Sequence, residues 1–357
     1  MKILYLSSHS ILEWDEVSLL TELDDTLPEA EKLNIEVFSC GAYANPTQSG
    51  DFMRSVIPKG RFYPELYDLY MQCDKNNLHP DLIAWADVIL SMHNAVVPGD
   101  KHLQPWIANN WKKFKDANKK VVWRSIGQGT IQLEEELKLY RDKGMSIVRH
   151  SPLEEKIPRF AGVDAMIRFC KDSEEFNGWT GDKLQVITTA QSFKQRGDHL
   201  GYSVFDRVTA NFQRKVYGPE NEDLGLVCGG RVSYQHLKNE LKENRVFFYF
   251  GTKPVPYTLS IIEAMLTGIP VVAVGPQLRG DNQSPYNWPN YEVPNIISNG
   301  VNGYISDNMN ELSGYIDLLM KDKETAQRIG DAGRATAIKL FGKTQRMQEW
   351  IAFLKKI

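Results

Sequence analysis

One acid sets the chemical question this chain raises. Glu263 lies in "TLSIIEAMLTGIPVVAVG", Thr258 to Gly275, which is otherwise apolar or small. Helical spacing puts it in one stripe with Leu259, Ile262 and Leu266, so it loses water and requires a hydrogen-bonding or charged partner. The surrounding segment reads as strand "RVFFYF" (Arg245–Phe250), loop "GTKPVP" (Gly251–Pro256) and a helix from near Tyr257. Pro256 is its start signal, and Gly268 and Pro270 stop it before "VVAV" resumes the sheet. Such a βαβ unit places its loop, with Gly251 and Lys253, at the carboxyl end of a strand, where open α/β sheets bind ligands. The amides of Thr258, Leu259 and Ser260 are expected to be unpaired at the helix N-terminus, positioned for phosphate oxygens. Glu263, about one turn further in, is placed to accept hydrogen bonds from ribose hydroxyls. The competing reading pairs Glu263 with Lys253 or a nearby arginine and makes it a fastener of the loop.

The elements needed to hold such a site are present. The chain has 357 residues, enough for roughly two domains, and 42% hydrophobic with 24% charged residues is the composition of a globular protein with a substantial core. A net charge of -3 gives no overall basicity for nucleic acid or an anionic membrane. Cys40, Cys73, Cys170 and Cys228 are far apart, with no CxxC pair, and read as thiols in a reducing compartment. The N-terminus "MKILYLSSHS" is too short and polar for a signal peptide, and no apolar run reaches the ~20 residues of a membrane span. The expected location is the cytoplasm.

Short runs apolar on consecutive positions recur, as strands covered on both faces require. They are Ile3–Leu6, Ile35–Phe38, Val88–Leu90, Val121–Trp123 and Ile147–Val148, then Val186–Ile187, Leu224–Cys228, Val246–Phe250 and Val271–Val274. Helical stretches such as Trp106–Ala117 and Thr130–Arg141 lie between them, so the fold class expected is α/β, with one open parallel sheet per half. The polar "CKDSEEFNGWTGDK" (Cys170–Lys183) is expected to separate the halves. The tail from Asn310 is helical in pattern.

At this point the residues resemble a known family. "PYTLSIIEAMLTGIPVVAVG" is similar to the donor-site segment of the family 4 glycosyltransferases, which have the GT-B fold of two Rossmann-like domains facing a cleft. "IISNGVNGYISDNMNELSGYIDLLMKDKETAQRIGDAGRATAIKLF" resembles the stretch that follows there. Over the first half the likeness is in layout only, with "MKILYLSSHS" as first strand and "ADVILSMHN" as a later strand and loop. The resemblance implies an acceptor-side domain (1–170), a linker (171–183), a nucleotide-sugar donor domain (184–340) and a C-terminal helix (341–357) packing back toward the first domain. It implies transfer of a sugar from a nucleoside diphosphate donor, a UDP- or GDP-sugar, with retention at the anomeric carbon. No cofactor and no bound metal are implied, in keeping with the lack of any Asp-x-Asp in the chain. Glu263 then matches the glutamate that binds the donor's ribose.

"TTAQSFKQRGDHLGYSVFDRV" (Thr188–Val208) resembles the family's strand, cationic loop and helix. Arg196 stands where relatives carry a lysine, and Gly197 keeps the glycine. A departing diphosphate without a metal needs cationic stabilisation, which Arg196 supplies bidentately with Lys194 assisting; the alternative is that both are solvated loop charges. His93 in "SMHN" occupies a loop where relatives often carry a histidine facing the sugar, although a lone histidine is more often structural. "CGGRVS" (Cys228–Ser233) corresponds to the loop beside the nucleobase, with Arg231 and Val232 in it. "RSIGQGT" (Arg124–Thr130) reads equally as a cleft edge or an ordinary βα turn. Trp288, in "GDNQSPYNWPNYEVPN", could stack on a sugar or base, or pack within a surface loop.

Two departures stand against the family pattern. Its earlier loop arginine is Gln191 here, and the acid eight positions before the ribose glutamate is Val255. They support a rival reading, a non-catalytic GT-B protein that binds a sugar nucleotide or a partner. A dehydrogenase is excluded because "YLSSHSILEW" has no glycine for a GxGxxG turn. For the acceptor, "DEVSLLTELDDTLPEAEKL" (Asp15–Leu33) has acidic polar positions, which repel an anionic bilayer. "WKKFKDANKK" (Trp111–Lys120) reads as a solvated basic face with a thin apolar side. The expected acceptor is therefore soluble and not in a membrane, with nucleic acid (a modified DNA base) the less favoured option.

Overall fold

Apolar runs on consecutive positions become the inner strands of two parallel sheets, one in each of two compact units. The computed structural model describes residues 1–7, 12–24, 35–40, 64–74, 77–92, 95–97, 100–103, 105–127, 129–281 and 288–357. The first unit comprises Met1–Phe169 with Thr344–Ile357, and the second comprises Cys170–Lys343.

In the first unit the strands are β1 (Lys2–Leu6), β2 (Glu36–Ser39), β3 (Val88–Ser91), a small antiparallel hairpin of β4 (Ala95–Val97) and β5 (Asp100–His102), then β6 (Lys120–Arg124), β7 (Met145–Arg149) and β8 (Ala165–Met166). The main sheet runs β2-β1-β3-β6-β7-β8, all parallel. Its core gathers Leu4, Leu6, Ile89, Val121 and Ile147 from the sheet with Ile107, Phe114, Leu133 and Leu137 from the helices Pro105–Asp116 and Ile131–Arg141. Trp350, from the helix Lys343–Lys356, is buried in this unit, with the Arg124 guanidinium 5.9 Å from its ring centre.

In the second unit β9 (Lys183–Thr189), β10 (Arg214–Tyr217), β11 (Cys228–Gly230), β12 (Asn244–Tyr249), β13 (Val271–Val274) and β14 (Tyr304–Ser306) form a sheet of order β11-β10-β9-β12-β13-β14, again all parallel. β12 and β13 are buried at every residue, as strands with helices on both faces must be. The strand order reverses between β9 and β12, which makes the carboxyl ends of those two strands the switch point where doubly wound sheets bind ligands.

Two expectations change. Leu224–Cys228, read as a strand, is mostly the 3-10 turn Glu222–Val227, broken at Gly225 (φ 56°), and β11 begins only at Cys228. Lys171–Lys183, expected as a linker, is packed into the second unit. Phe176 and Trp179 are buried, Trp179 donates to the Asn244 carbonyl at 2.7 Å, and the Arg334 guanidinium binds the carbonyls of Ser173, Phe176 and Leu266. The polar composition that suggested a linker reflects the exposed residues between these anchors.

Candidate functional site

The loops that carry the candidate residues leave the two switch-point strands side by side. β9 runs into Ala190–Gly197, and β12 into Phe250–Tyr257. The Lys253 amide donates to the His199 carbonyl at 3.0 Å and joins the two.

The β12 loop is built from below by residues the sequence reading did not single out. Arg279, fully buried, donates to the carbonyls of Phe250 (2.9 Å), Thr252 (2.7 Å) and Val255 (3.4 Å) and pairs with Asp281, with its guanidinium 4.0 Å from the Tyr291 ring centre. Burial raises the Asp281 carboxyl against the pull of Arg279. Four carbonyl and carboxylate contacts of this kind suit guanidinium geometry and no other side chain. Val255, where the family carries its sugar-binding acid, is 5% exposed, so its side chain belongs to the core.

The helix begins at Leu259, two residues later than expected, with Thr258 as its N-cap. The Thr258 amide, expected to be unpaired, donates to the Tyr249 hydroxyl at 3.0 Å, and the Thr258 hydroxyl lies 3.2 Å from the same oxygen. Gly251 makes this possible. Its φ is 74°, and a Cβ there would sit 2.6 Å from the Tyr249 hydroxyl. The amides of Leu259 and Ser260 take no partner among the described residues, and the Ser260 hydroxyl is 2.8 Å from that of Thr258. This N-terminal turn offers two amides and the Ser260 hydroxyl to an anion, the Thr258 hydroxyl being given to Tyr249.

Glu263 is 7% exposed. Its Oε1 accepts from Lys171 Nζ at 3.0 Å and from the Tyr234 hydroxyl at 3.0 Å. Among the described residues neither Lys253 nor an arginine is its partner, so its fastening contact runs to Lys171 and Tyr234 instead. Lys171 and Tyr234 come from distant parts of the second unit, and no local pattern signals them.

Arg196 and Lys194 are exposed on the β9 loop, with Arg196 preceding the 3-10 turn Gly197–His199. Asn221, fully buried, shapes this loop: its side chain accepts from the Phe193 amide (2.9 Å) and donates to the carbonyls of Ala190 (2.7 Å) and Gly218 (3.1 Å). Gln191 does not stand in for the missing arginine. With Ser192 it hydrogen-bonds the Glu220 carboxylate, and together with the Arg231 charge these bonds hold that carboxyl below its usual range. Arg231 is exposed and Val232 half-buried just after β11, at the carboxyl edge of the same sheet.

His93 lies outside the described residues. In the first unit, within "RSIGQGT", Thr130 caps the helix Ile131–Arg141 through the Leu133 amide at 3.2 Å, and Gln128 lies outside the described residues. Ser125 donates to Glu154 at 2.7 Å in a fully buried cluster with His150, while Arg149 bridges Glu134 and Glu154. Burial opposes ionisation of Glu154, but His150, Arg149 and Ser125 outweigh it and hold its carboxyl at about 2. Trp288 is buried and unavailable for stacking at the surface. The basic face Trp111–Lys120 is partly spent on the fold, since Lys119 donates to the Ala84 and Ala86 carbonyls and Lys113 to that of Leu78. Nor is the first helix, Trp14–Asp24, simply an acidic surface. Glu16 is buried and accepts from the Tyr5 hydroxyl at 2.7 Å, and Glu22 is buried too. Among the described residues no three His, Cys, Asp or Glu side chains converge as a metal site, and no helix is long and apolar enough to cross a membrane.

No protein-family model and no curated protein matches the chain. Solved structures do, over its whole length. Anabaena HepE in complex with UDP-glucose aligns with a TM-score of 0.64 at 14% identity, covering 100% of both chains. Sucrose-phosphate synthase from Thermosynechococcus elongatus aligns with a TM-score of 0.64 at 13% identity, covering 100% of this chain and 99% of that one. An alpha-glucosyltransferase in complex with UDP and a 13-mer DNA containing a HMU base aligns at 0.60 and 12% identity, covering 99% of each. Together with the two six-stranded parallel sheets, these likenesses establish the GT-B fold for this chain.

Proposed function

We propose that the protein is a glycosyltransferase that moves a sugar from a nucleoside diphosphate donor to a soluble acceptor, with retention and without a bound metal. One observation carries the reading: the cationic β9 loop and the β12 loop that leads into the open-amide turn flank the switch point of one sheet, and the Lys253 amide of the β12 loop donates to the His199 carbonyl in the 3-10 turn that ends the β9 loop. Diphosphate oxygens meet the amides of Leu259 and Ser260 and the Ser260 hydroxyl, with Arg196 and Lys194 supplying charge. Glu263 receives the ribose, and the loop of Arg231 and Val232 lies beside the base. As the bond from the anomeric carbon to the diphosphate breaks, negative charge builds on the leaving oxygen, where these donors are already oriented. The acceptor oxygen bonds to the same face of that carbon, and the leaving phosphate oxygen takes its proton. HepE is in complex with UDP-glucose and the alpha-glucosyltransferase with UDP, and these proteins, whose fold this chain shares, support a UDP-sugar as the first donor to try. A cytoplasmic location, expected from the scattered cysteines, belongs to the same proposal.

The buried Val255 favours a second reading, a non-catalytic sugar-nucleotide binder that has lost the family's sugar-contacting acid. One experiment separates the two. A panel of UDP- and GDP-sugars is screened by thermal shift, in which a bound donor raises the midpoint by mass action. Binders are then assayed for nucleoside diphosphate release with and without EDTA. Release that survives EDTA supports transfer, binding without release supports the second reading, and a panel with no binder overturns both.

A further inference from the structure

Glu263 is held by residues that lie on neither loop of the candidate site. Lys171 Nζ and the Tyr234 hydroxyl both bind its Oε1 at 3.0 Å, and Lys171 also donates to the Tyr234 oxygen at 3.3 Å, closing a triangle. Oε2 takes no partner among the described residues.

A lysine head is ordinarily mobile at the end of its stem, but this one is anchored. The Lys171 amide donates to the Phe341 carbonyl at 3.3 Å, the residue pairs with Gly342 in an isolated bridge, and its side chain is 10% exposed. Tyr234 is fixed as well. Phe176 packs edge-on against its ring at 5.8 Å, and Lys238, paired with Glu175 at 3.0 Å, lies 5.2 Å from the ring centre. Burial first, and then the Glu263 charge, push the Tyr234 hydroxyl well above the usual tyrosine range, so it stays a donor. A carboxylate gripped at one oxygen by two anchored donors does not rotate, and it presents its second oxygen in a single direction.

We propose that Lys171 and Tyr234 are positioning residues: by occupying Oε1 of Glu263 they leave Oε2 as the acceptor for vicinal hydroxyls and make the site selective for nucleoside diphosphates with an intact ribose diol. This rests on the glycosyltransferase reading, in which Glu263 meets the donor's ribose.

The test is calorimetric binding of UDP and GDP against their 2′,3′-dideoxy counterparts, in the full chain and in K171M, K171R and Y234F. The full chain is expected to prefer the diol-bearing nucleotide by on the order of tenfold. K171M should lose most of that preference and K171R should recover part of it, because a guanidinium keeps the charge but not the geometry. Y234F should lower it severalfold. A general loss of structure weakens both nucleotides alike, so the ratio reports positioning. A folded K171M with the full preference overturns the proposal and leaves the glycosyltransferase reading standing. Failure of the full chain to bind any of the nucleotides overturns both. If K171M does not fold, Y234F decides, since it removes only a hydroxyl; an unchanged ratio there overturns the proposal.

Discussion

The Lys253 amide donates to the His199 carbonyl at 3.0 Å, so the loop after β12 is stitched to the loop after β9. Two cationic loops distant in sequence thereby share one geometry. The bond is backbone to backbone and survives any side chain at either position other than proline at 253. What sets the shape of the β12 loop is beneath it, in Arg279, Tyr249 and Gly251.

Replacing Gly251 by alanine tests that support. The residue sits at φ 74°, and the added Cβ would lie 2.6 Å from the Tyr249 hydroxyl that receives the Thr258 amide. Strain and displacement should cost about 1–3 kcal/mol of stability. Because the same shift reorients the first turn of the donor helix, nucleotide affinity should fall by roughly tenfold. Chemical denaturation and nucleotide titration on G251A give both numbers, and an affinity equal to that of the parent chain would show that this turn does not hold phosphate.

Glu263→Gln affects fold and ligand together. The amide leaves the nearly buried Lys171 ammonium without its counter-charge, which should cost about 1–3 kcal/mol of stability. Loss of charge-assisted bonds to the ribose should remove about 1.5–3 kcal/mol of donor binding. The double variant E263Q/K171M no longer buries an unpaired charge, so it should regain most of the stability and none of the affinity. Recovery of donor affinity in the double variant would remove Glu263 from the ribose site and leave it as a structural partner of Lys171.

How much of this was legible in the sequence differs residue by residue. Glu263 announced itself because an acid in an apolar helical stripe must have a partner. The identity of that partner was hidden, since Lys171 sits in a stretch that reads as a polar linker and Tyr234 on a separate helix, Tyr234–Glu243. β1, β3, β12 and β13 were plain from consecutive apolar positions. β10 was masked by Arg214 and Lys215, whose heads leave the sheet to reach Asp206 (2.8 Å) and the Leu226 carbonyl (2.8 Å). Arg279 gave no signal at all, because a buried arginine satisfied by carbonyls has no periodic signature.

Arg196→Ala should lower turnover more than donor affinity, because the arginine's partner is charge that grows in the leaving diphosphate. Loss of one such donor is expected to cost about 2–4 kcal/mol in kcat, with a smaller change in KM. The parent activity should persist in EDTA. Activity that vanishes with EDTA and returns with magnesium or manganese would overturn the metal-free mechanism and assign the diphosphate charge to a cation.

Acid stability of the first unit turns on one buried carboxylate. Glu154 is 1% exposed and held at about 2 by His150, Arg149 and Ser125, against an ordinary value of 4.5. Its folded value is depressed, so it stabilises the fold above the unfolded value of 4.5, and that contribution drains away as pH falls from 4.5 toward 2. The full difference corresponds to about 3 kcal/mol. Glu154→Gln keeps the shape yet cannot ionise, so the variant should be less stable at neutral pH and should lose less stability than the parent on acidification through this window. Urea denaturation of both proteins at a series of pH values gives the comparison. Parallel curves for the two would show that Glu154 does not carry the acid sensitivity, and the buried Arg149–Glu134 pair, at 2.6 Å, would be the next carboxylate to substitute.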